Sequence, residues 1–553
     1  MNLGCGGQDS DAGDITRAGD GRHRRFPFRQ GIIKVAMPAL EPNPNRFRSA
    51  LESGEFVHTA ELVLGRDHTA VEAETFIRDA SQQSDGIKVI SLTDLPGGNP
   101  ALPPDAFVAC VRAHNLTPIA HLSGKDGNRS FLEARLHALA HLGAENILAL
   151  TGDAQKDAFA GKARPVYDLD SVLILWLIRA LRAGLEYNLG PRTIRTTPFD
   201  FFAGAVVNPF KVREPDLLMQ FYKLQLKVAA GAQYIIPQLG FNLRKLCELK
   251  QYMLREGLGH IPVLANVYVP TAKIAQLMQS GELPGCVIAD ALLHRLEQEK
   301  KPQRLERAAL MVAAAKDLGF AGAHIGGFGL THRDFMTILE RAAAIGNTWR
   351  ARMDELVFPF PNEFYLLPQS ADGLSDATAD YQLTRAHPRP TVAQRLSATV
   401  HRHFIKDGAF GPRLFGPHLS AAGHHRRFWH ALLAPSTLYR KATLGCESCG
   451  DCLQDHLNYA GCSMHGCYKQ LRNGPCGGAR VDGTCEARDL PCIWNQIYLG
   501  TLALGDDPGK FAHILIPPRD WSLDRTNALA NRFAGLDNLS KRIDLRTIPE
   551  DPC

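Results

Sequence analysis

Between residues 55 and 360, short apolar runs alternate with segments whose apolar residues recur every three or four positions. The runs at 56–64, 86–93, 118–122, 146–150, 202–208, 234–237, 263–267 and 323–327 have strand length. Continuous apolar runs of this kind belong to strands covered on both faces. Between them, 131–142, 170–183, 217–230, 304–318 and 333–344 carry helical periodicity. Eight such units in about 300 residues predict a (β/α)8 TIM barrel, fold class α/β. A doubly wound open sheet is the alternative, but no G-x-G-x-x-G follows the first run.

The fourth run, inside GAENILALTGDAQ (143–155), stops at Gly152 and Asp153. In a parallel barrel the side chains just past the strands' carboxyl ends share one rim and line the ligand site. That rim reads Glu61, Thr93, His121, Asp153, Asn208 and Gln238, with Lys227 on the helix before the sixth strand. Each has a bland reading alone: Asp153 as a helix N-cap, His121 as a satisfied core histidine, Glu61 as a surface acid, Gln238 as a loop polar group. Together they predict a pocket for a large polar ligand.

Composition adds the flanks. A chain of 553 residues exceeds one core. It divides into a disordered tail (1–36), the barrel (37–360), a linker with a basic helical connector (361–444) and a Cys-rich, metal-binding C-terminal domain (445–553). No apolar run is long enough to span a membrane, and a net charge of +5 is too small to suggest nucleic acid. The tail lacks the apolar core of a secretion signal, which places the chain in the reducing cytoplasm. Residues 384–444 hold ten Lys or Arg against one acid, Asp407. They form either a solvated connector or a docking surface for an acidic electron carrier or a polyglutamylated folate tail.

Eight cysteines crowd the last region: Cys446, Cys449, Cys452, Cys462, Cys467, Cys476, Cys485 and Cys492. Disulfides are disfavoured in the cytoplasm. The Cys-x2-Cys-x2-Cys spacing from Cys446 to Cys452 suits thiolates capping an iron–sulfur cubane, and eight thiolates suffice for two [4Fe–4S] clusters. Two four-thiolate zinc sites are the alternative.

The strings TAEL around Glu61, SLTD with Thr93, HLSGKDGNR from His121, NILALTGD ending at Asp153, and LKVAAGAQYIIPQLGF (226–241) resemble, in order and spacing, the methylenetetrahydrofolate reductase family. CGDCLQ, NGPCGG (473–478) and CEARDLPCIW (485–494) resemble the C-terminal domain found in, or as a partner subunit of, some members. The resemblance implies a barrel that binds FAD and reduces 5,10-methylenetetrahydrofolate to 5-methyltetrahydrofolate, a step of one-carbon metabolism. It implies Glu61 as general acid, its carboxyl raised by burial, and Asp153 as the carboxylate beside the flavin. It further implies Gln238 on the pterin, and Thr93, His121, Asp153 and Lys227 on FAD, with Lys227 at a phosphate.

Three departures from the family pattern bear on the electron donor. Leu62, Val63, Leu64 and Gly65 replace a double Pro, VYVPTAKI (267–274) lacks the Phe that stacks on nicotinamide, and AHIGGFG in the eighth strand lacks the usual polar residues. The donor is therefore either NAD(P)H or a low-potential electron-carrier protein acting through the metal domain, in either direction of flux, with homo-oligomerisation open. The alternative is a folate- or flavin-binding assembly protein with a structural zinc domain and no catalysis.

Overall fold

Eight parallel strands form one sheet: β1 Val57–Leu62, β2 Val89–Leu92, β3 Thr117–Ser123, β4 Asn146–Leu150, β5 Phe202–Val207, β6 Tyr234–Pro237, β7 Leu264–Tyr268 and β8 Gly322–Gly326. Their order is β6-β5-β4-β3-β2-β1-β8-β7, and a parallel bridge from Ile235 to Val263 brings the two ends together. This is the expected (β/α)8 barrel, with each strand within a few residues of its sequence-predicted run. The computed structural model describes residues 45–548 apart from 67–68, 84–85, 385–387 and 420–425. The expected tail at 1–36 lies outside the described residues.

Strand alternation sorts the barrel interior into layers, because every second side chain points inward. Val57, Val89, Ile119, Leu148, Phe202, Tyr234 and Leu264 form an apolar floor. Helix Arg46–Glu52 closes it with Phe47, set edge-on to Tyr234 at 5.0 Å and to Phe202 at 5.8 Å. Two residues further along the strands the layer turns polar, with buried Thr59, Ser91, His121, Asn266 and His324. Two residues further again lie Glu61, Thr93 and Gln238, at the mouth. Gly326 leaves room there, since a Cβ on it would stand 2.7 Å from Glu61 Oε2.

Beyond the barrel, helices Val392–Val400, Phe410–Leu419, Arg426–Leu432 and Ala434–Leu444 precede the cysteine-rich region. That region has few regular elements and is held by buried polar pins. Asp451 pairs with Arg472 at 3.0 Å and accepts from Asn538 N and Nδ2 at 2.8 Å. Asn473 exchanges two hydrogen bonds with the backbone of Ile516.

The described residues from 45 to 548 belong to one compact unit, and the barrel helix Glu214–Ala229 is the main platform for the cysteine-rich region. Asp216 accepts from Asn495 at 2.8 Å, Glu214 from Tyr498 OH at 3.2 Å, and Lys223 donates to Gly474 O at 3.2 Å. Among the described residues no helix is long and apolar enough to cross a membrane.

Candidate functional site

Glu61, Thr93, His121, Asp153, Asn208, Lys227 and Gln238 all line one cavity of about 290 Å³ at the carboxyl ends of the strands. The sequence reading thus placed every one of its rim residues at a common site. It missed what surrounds them.

Glu61 leads a buried chain. Its Oε2 lies 3.4 Å from His324 Nε2, and His324 Nδ1 meets Thr59 Oγ1 at 2.7 Å. Burial alone raises the Glu61 carboxyl, but the His324 hydrogen bond and the charges of His324 and His121 carry it below the ordinary carboxylate value. The expected upward shift is therefore reversed, and the cause is a histidine on the strand that seemed to lack polar residues. His121, bonded to Ser91 Oγ at 2.7 Å, is lowered to about 4, first by burial, and is a neutral imidazole at physiological pH.

Asp153 behaves in the opposite way. Burial, then the Glu486 carboxylate, pushes it up to about 6 against the pull of Lys469, the Gly97 amide and Lys125. Gln238 keeps its Oε1 on Leu239 N at 3.0 Å. Thr93 accepts from Leu64 N at 2.8 Å, so its hydroxyl shapes the first loop, the stretch where Leu and Val replace the double Pro. Lys227 is buried with Nζ donating to Val206 O at 2.5 Å. Burial first, then Lys223, lowers its ammonium to about 7. Asn266 donates to Pro237 O at 3.0 Å, while its buried Oδ1 has no partner among the described residues and borders the cavity. Such an orphaned acceptor fits a ligand N–H.

One wall comes from the far end of the chain. Lys469, Cys476, Gly477, Gly478 and Glu486 line the same cavity. Lys469 Nζ donates to Gly152 O at 2.6 Å and is paired with Glu486, both side chains nearly fully buried. Asn208 ties this wall down by donating to Gly477 O at 3.2 Å and to Gly285 O at 2.8 Å.

The eight clustered cysteines form no disulfide and fall into two sets of four. Cys446, Cys449, Cys452 and Cys462 line a cavity of about 90 Å³. Cys467, Cys476, Cys485 and Cys492 line a second, of about 20 Å³. Cys462 and Cys467 cap opposite ends of the one-turn helix Ser463–Gly466, which links the two. Cys476 borders both the second thiol cavity and the barrel cavity. Burial and then a neighbouring thiol raise Cys449 and Cys467 to about 11, so thiolates here need a cation. Among the described residues no three His, Cys, Asp or Glu groups converge closely enough to hold one ion.

Residues 46–325 match the family model described as methylenetetrahydrofolate reductase, and 430–522 match the model described as the methylene-tetrahydrofolate reductase C terminal. A comparison with curated proteins finds no match. Among solved structures, the chain is similar to a Clostridium thermocellum protein described as binding two copies of 5-methyl-5,6,7,8-tetrahydrofolic acid. That match has 12% identity and a TM-score of 0.39 over 54% of this chain and 98% of that one. It is also similar to dihydropteroate synthase from Thermus thermophilus, at 15% identity and a TM-score of 0.29 over 54% and 94% of the two chains.

Proposed function

The chain belongs to the methylenetetrahydrofolate reductase family, and from that premise we propose that it interconverts 5,10-methylenetetrahydrofolate and 5-methyltetrahydrofolate in the barrel cavity, using FAD and electrons passed through the two thiol sets. The observation that carries this reading is the Thr59–His324–Glu61 chain, which ends at a cavity also bordered by Asp153 and Gln238.

Opening the imidazolidine ring to the 5-iminium cation requires a proton at N10. Glu61 supplies it. His324 Nε2, facing the Glu61 carboxyl, holds that group in place as the substrate's nitrogen takes up the proton. Thr59 fixes the imidazole so that Nε2 faces the carboxylate. Asp153, facing the same cavity, stabilises the cation in its ionised form. Gln238 offers its Nε2 and Asn266 its Oδ1 to the pterin or to the flavin ring.

Bound FAD would supply the hydride that completes the methyl group, and Thr93, His121, Asp153 and Lys227 are the residues that would hold it. Lys227 acts from its seat on Val206 O, where its lowered ammonium serves as a hydrogen-bond donor more than as a fixed charge. The orphaned Asn266 acceptor supports a ligand of this kind.

The thiol sets support metal. Four thiols around a cavity of about 90 Å³ leave room for a cluster, whereas a single zinc would have to draw four sulfurs to about 2.3 Å. We assign a [4Fe–4S] cluster to the first set, where it would supply one-electron transfer; the second set, around about 20 Å³, would hold a cluster only if its four thiols move apart, and is otherwise suited to zinc. Cys476 brings the second set to the barrel wall.

The test is an anaerobic preparation of the full chain assayed for flavin, iron, sulfide and zinc, followed by single-turnover oxidation of the reduced protein by methylenetetrahydrofolate. Glu61→Gln should retain flavin and folate yet lose on the order of 10²-fold or more in that step. Normal turnover by this variant would overturn the acid assignment. Colourless, zinc-loaded protein reduced rapidly by NADH would overturn the electron route and leave a structural metal domain.

A further inference from the structure

The helices between barrel and cysteine region bury one face and leave the other bare. Phe415, Leu419 and Leu433 pack with Leu529 and Phe533, and Phe404 meets Phe533 edge-on at 5.7 Å. Facing away, Val392, Leu396 and Val400 form an exposed stripe at helical spacing along Val392–Val400, with exposures of 84%, 53% and 43%. Phe410 and Leu414 continue it on Phe410–Leu419, and Leu438 on Ala434–Leu444. Neighbouring elements of this layer touch one another, and Ser397 Oγ bonds Tyr439 OH at 3.0 Å.

Among these apolar residues stand exposed Arg395, Arg402, Lys406, Arg413 and Lys441, none with an acidic partner among the described residues. The segment's one acid, Asp407, is taken by Arg532 at 3.0 Å. The layer also abuts the first thiol set: Ala434–Leu444 runs through Gly445 into Cys446, and its Arg440 and Leu444 line that set's cavity.

We propose that this basic, apolar-studded face is the docking surface for an acidic one-electron carrier protein of the ferredoxin class, seated beside the first thiol set. The proposal rests on the electron route given above. Charge complementarity selects the partner, since unpaired cations around an apolar centre steer and hold an acidic protein. Continuity with the first set explains why the face lies here rather than on the barrel. Each productive encounter oxidises one carrier and adds one electron to the chain. Two encounters and two protons convert methylenetetrahydrofolate to methyltetrahydrofolate.

The test uses a plant-type [2Fe–2S] ferredoxin as probe, with the full-length holoprotein. Its binding is measured by calorimetry at low and high salt, and reduction of the chain is followed by stopped flow with ferredoxin or with reduced methyl viologen. The triple variant R395E/R402E/K406E should weaken ferredoxin binding at least about tenfold and flatten its salt dependence, while viologen reduction stays unchanged. A second variant, L396S/F410S, should weaken binding with the salt slope kept, and circular dichroism melts confirm that both fold.

Unchanged ferredoxin binding in both variants overturns the proposal, as does absence of binding in the parent. So does binding of the face to phosphatidylserine vesicles or to a second copy in place of ferredoxin. Ferredoxin binding by a chain without iron would retain the docking surface and sink the electron route. Viologen reduction without ferredoxin binding would do the reverse.

Discussion

Replacing His324 with Asn isolates the contribution of its charge, because Asn can still hydrogen-bond Thr59 or Glu61 but takes up no proton. At the observed 3.4 Å separation, a full ion pair at an effective dielectric of about 20 is worth about 5 kcal/mol. That attraction outweighs the burial penalty that otherwise raises Glu61, and the carboxyl ends below its ordinary value. In His324→Asn burial acts almost alone, and Glu61 should titrate above its ordinary value.

Two consequences follow with definite signs. In the parent, a depressed carboxyl contributes stability that is present above the unfolded value and lost as pH falls through the folded one. In the variant the carboxyl is raised, so its contribution is present below the unfolded value and lost as pH rises through the folded one. The stability gap between the proteins should widen from pH 4 to pH 7, readable in thermal melts across that range. The folate half-reaction of the variant should fall on the order of 10²-fold at neutral pH and recover in acid, where Glu61 carries its own proton. A variant with the parent's pH profile and a constant stability gap would refute the coupling.

Other perturbations separate site from scaffold. Lys469→Met strands the Glu486 carboxylate, 3% exposed, and should cost roughly 3–5 kcal/mol in thermal or denaturant unfolding, most of it recovered by adding Glu486→Gln. Asn266→Leu removes an acceptor that has no partner and, with it, the buried donor to Pro237 O. It should cost roughly 1–3 kcal/mol in unfolding through the stranded carbonyl and also weaken flavin or folate binding by roughly 1–3 kcal/mol in titration calorimetry. Phe47→Ala opens the floor, where Phe47 is fully buried, and should cost about 3–5 kcal/mol in unfolding with ligand affinity retained. Gly204→Ala places a Cβ 2.2 Å from the Tyr234 ring and should destabilise by about 1–3 kcal/mol through overpacking; the clash is with ring carbons, so Tyr234→Phe should not relieve it, whereas Tyr234→Leu should in part.

The barrel was legible because its strands are covered on both faces and its helices on one, so periodicity alone separates them. Glu61, Asp153 and Gln238 were legible because strand ends in this fold converge. His324 was not, although the same alternation that points Glu61 inward also points it inward. Standing between Gly322 and Gly326, it lies in a strand too short of side chains to look like part of a site. Lys227 was legible as a cavity residue, but its anchor on the Val206 carbonyl was not, because that contact joins a helix to the strand before it.

The second wall was illegible for a different reason. Lys469 and Gly152 are 317 residues apart, and no local pattern encodes a contact across that distance. The cysteine grouping falls between these cases. The spacing of Cys446, Cys449 and Cys452 announces one set, but Cys462 and Cys467 are five residues apart and serve different cavities. The helical turn between them sends one thiol outward to the basic layer and the other inward to the barrel wall. That division makes sense only if the two sets have different neighbours to serve. A purely structural domain has no need to bring Cys476 to the edge of a cavity that also holds Glu61 and Asp153. Cys476→Ser should therefore alter the barrel site, read as a shift in the flavin absorption band or in folate affinity, while Cys449→Ser at the far set should not. Identical effects of the two substitutions would show that the sets act only through the stability of the domain.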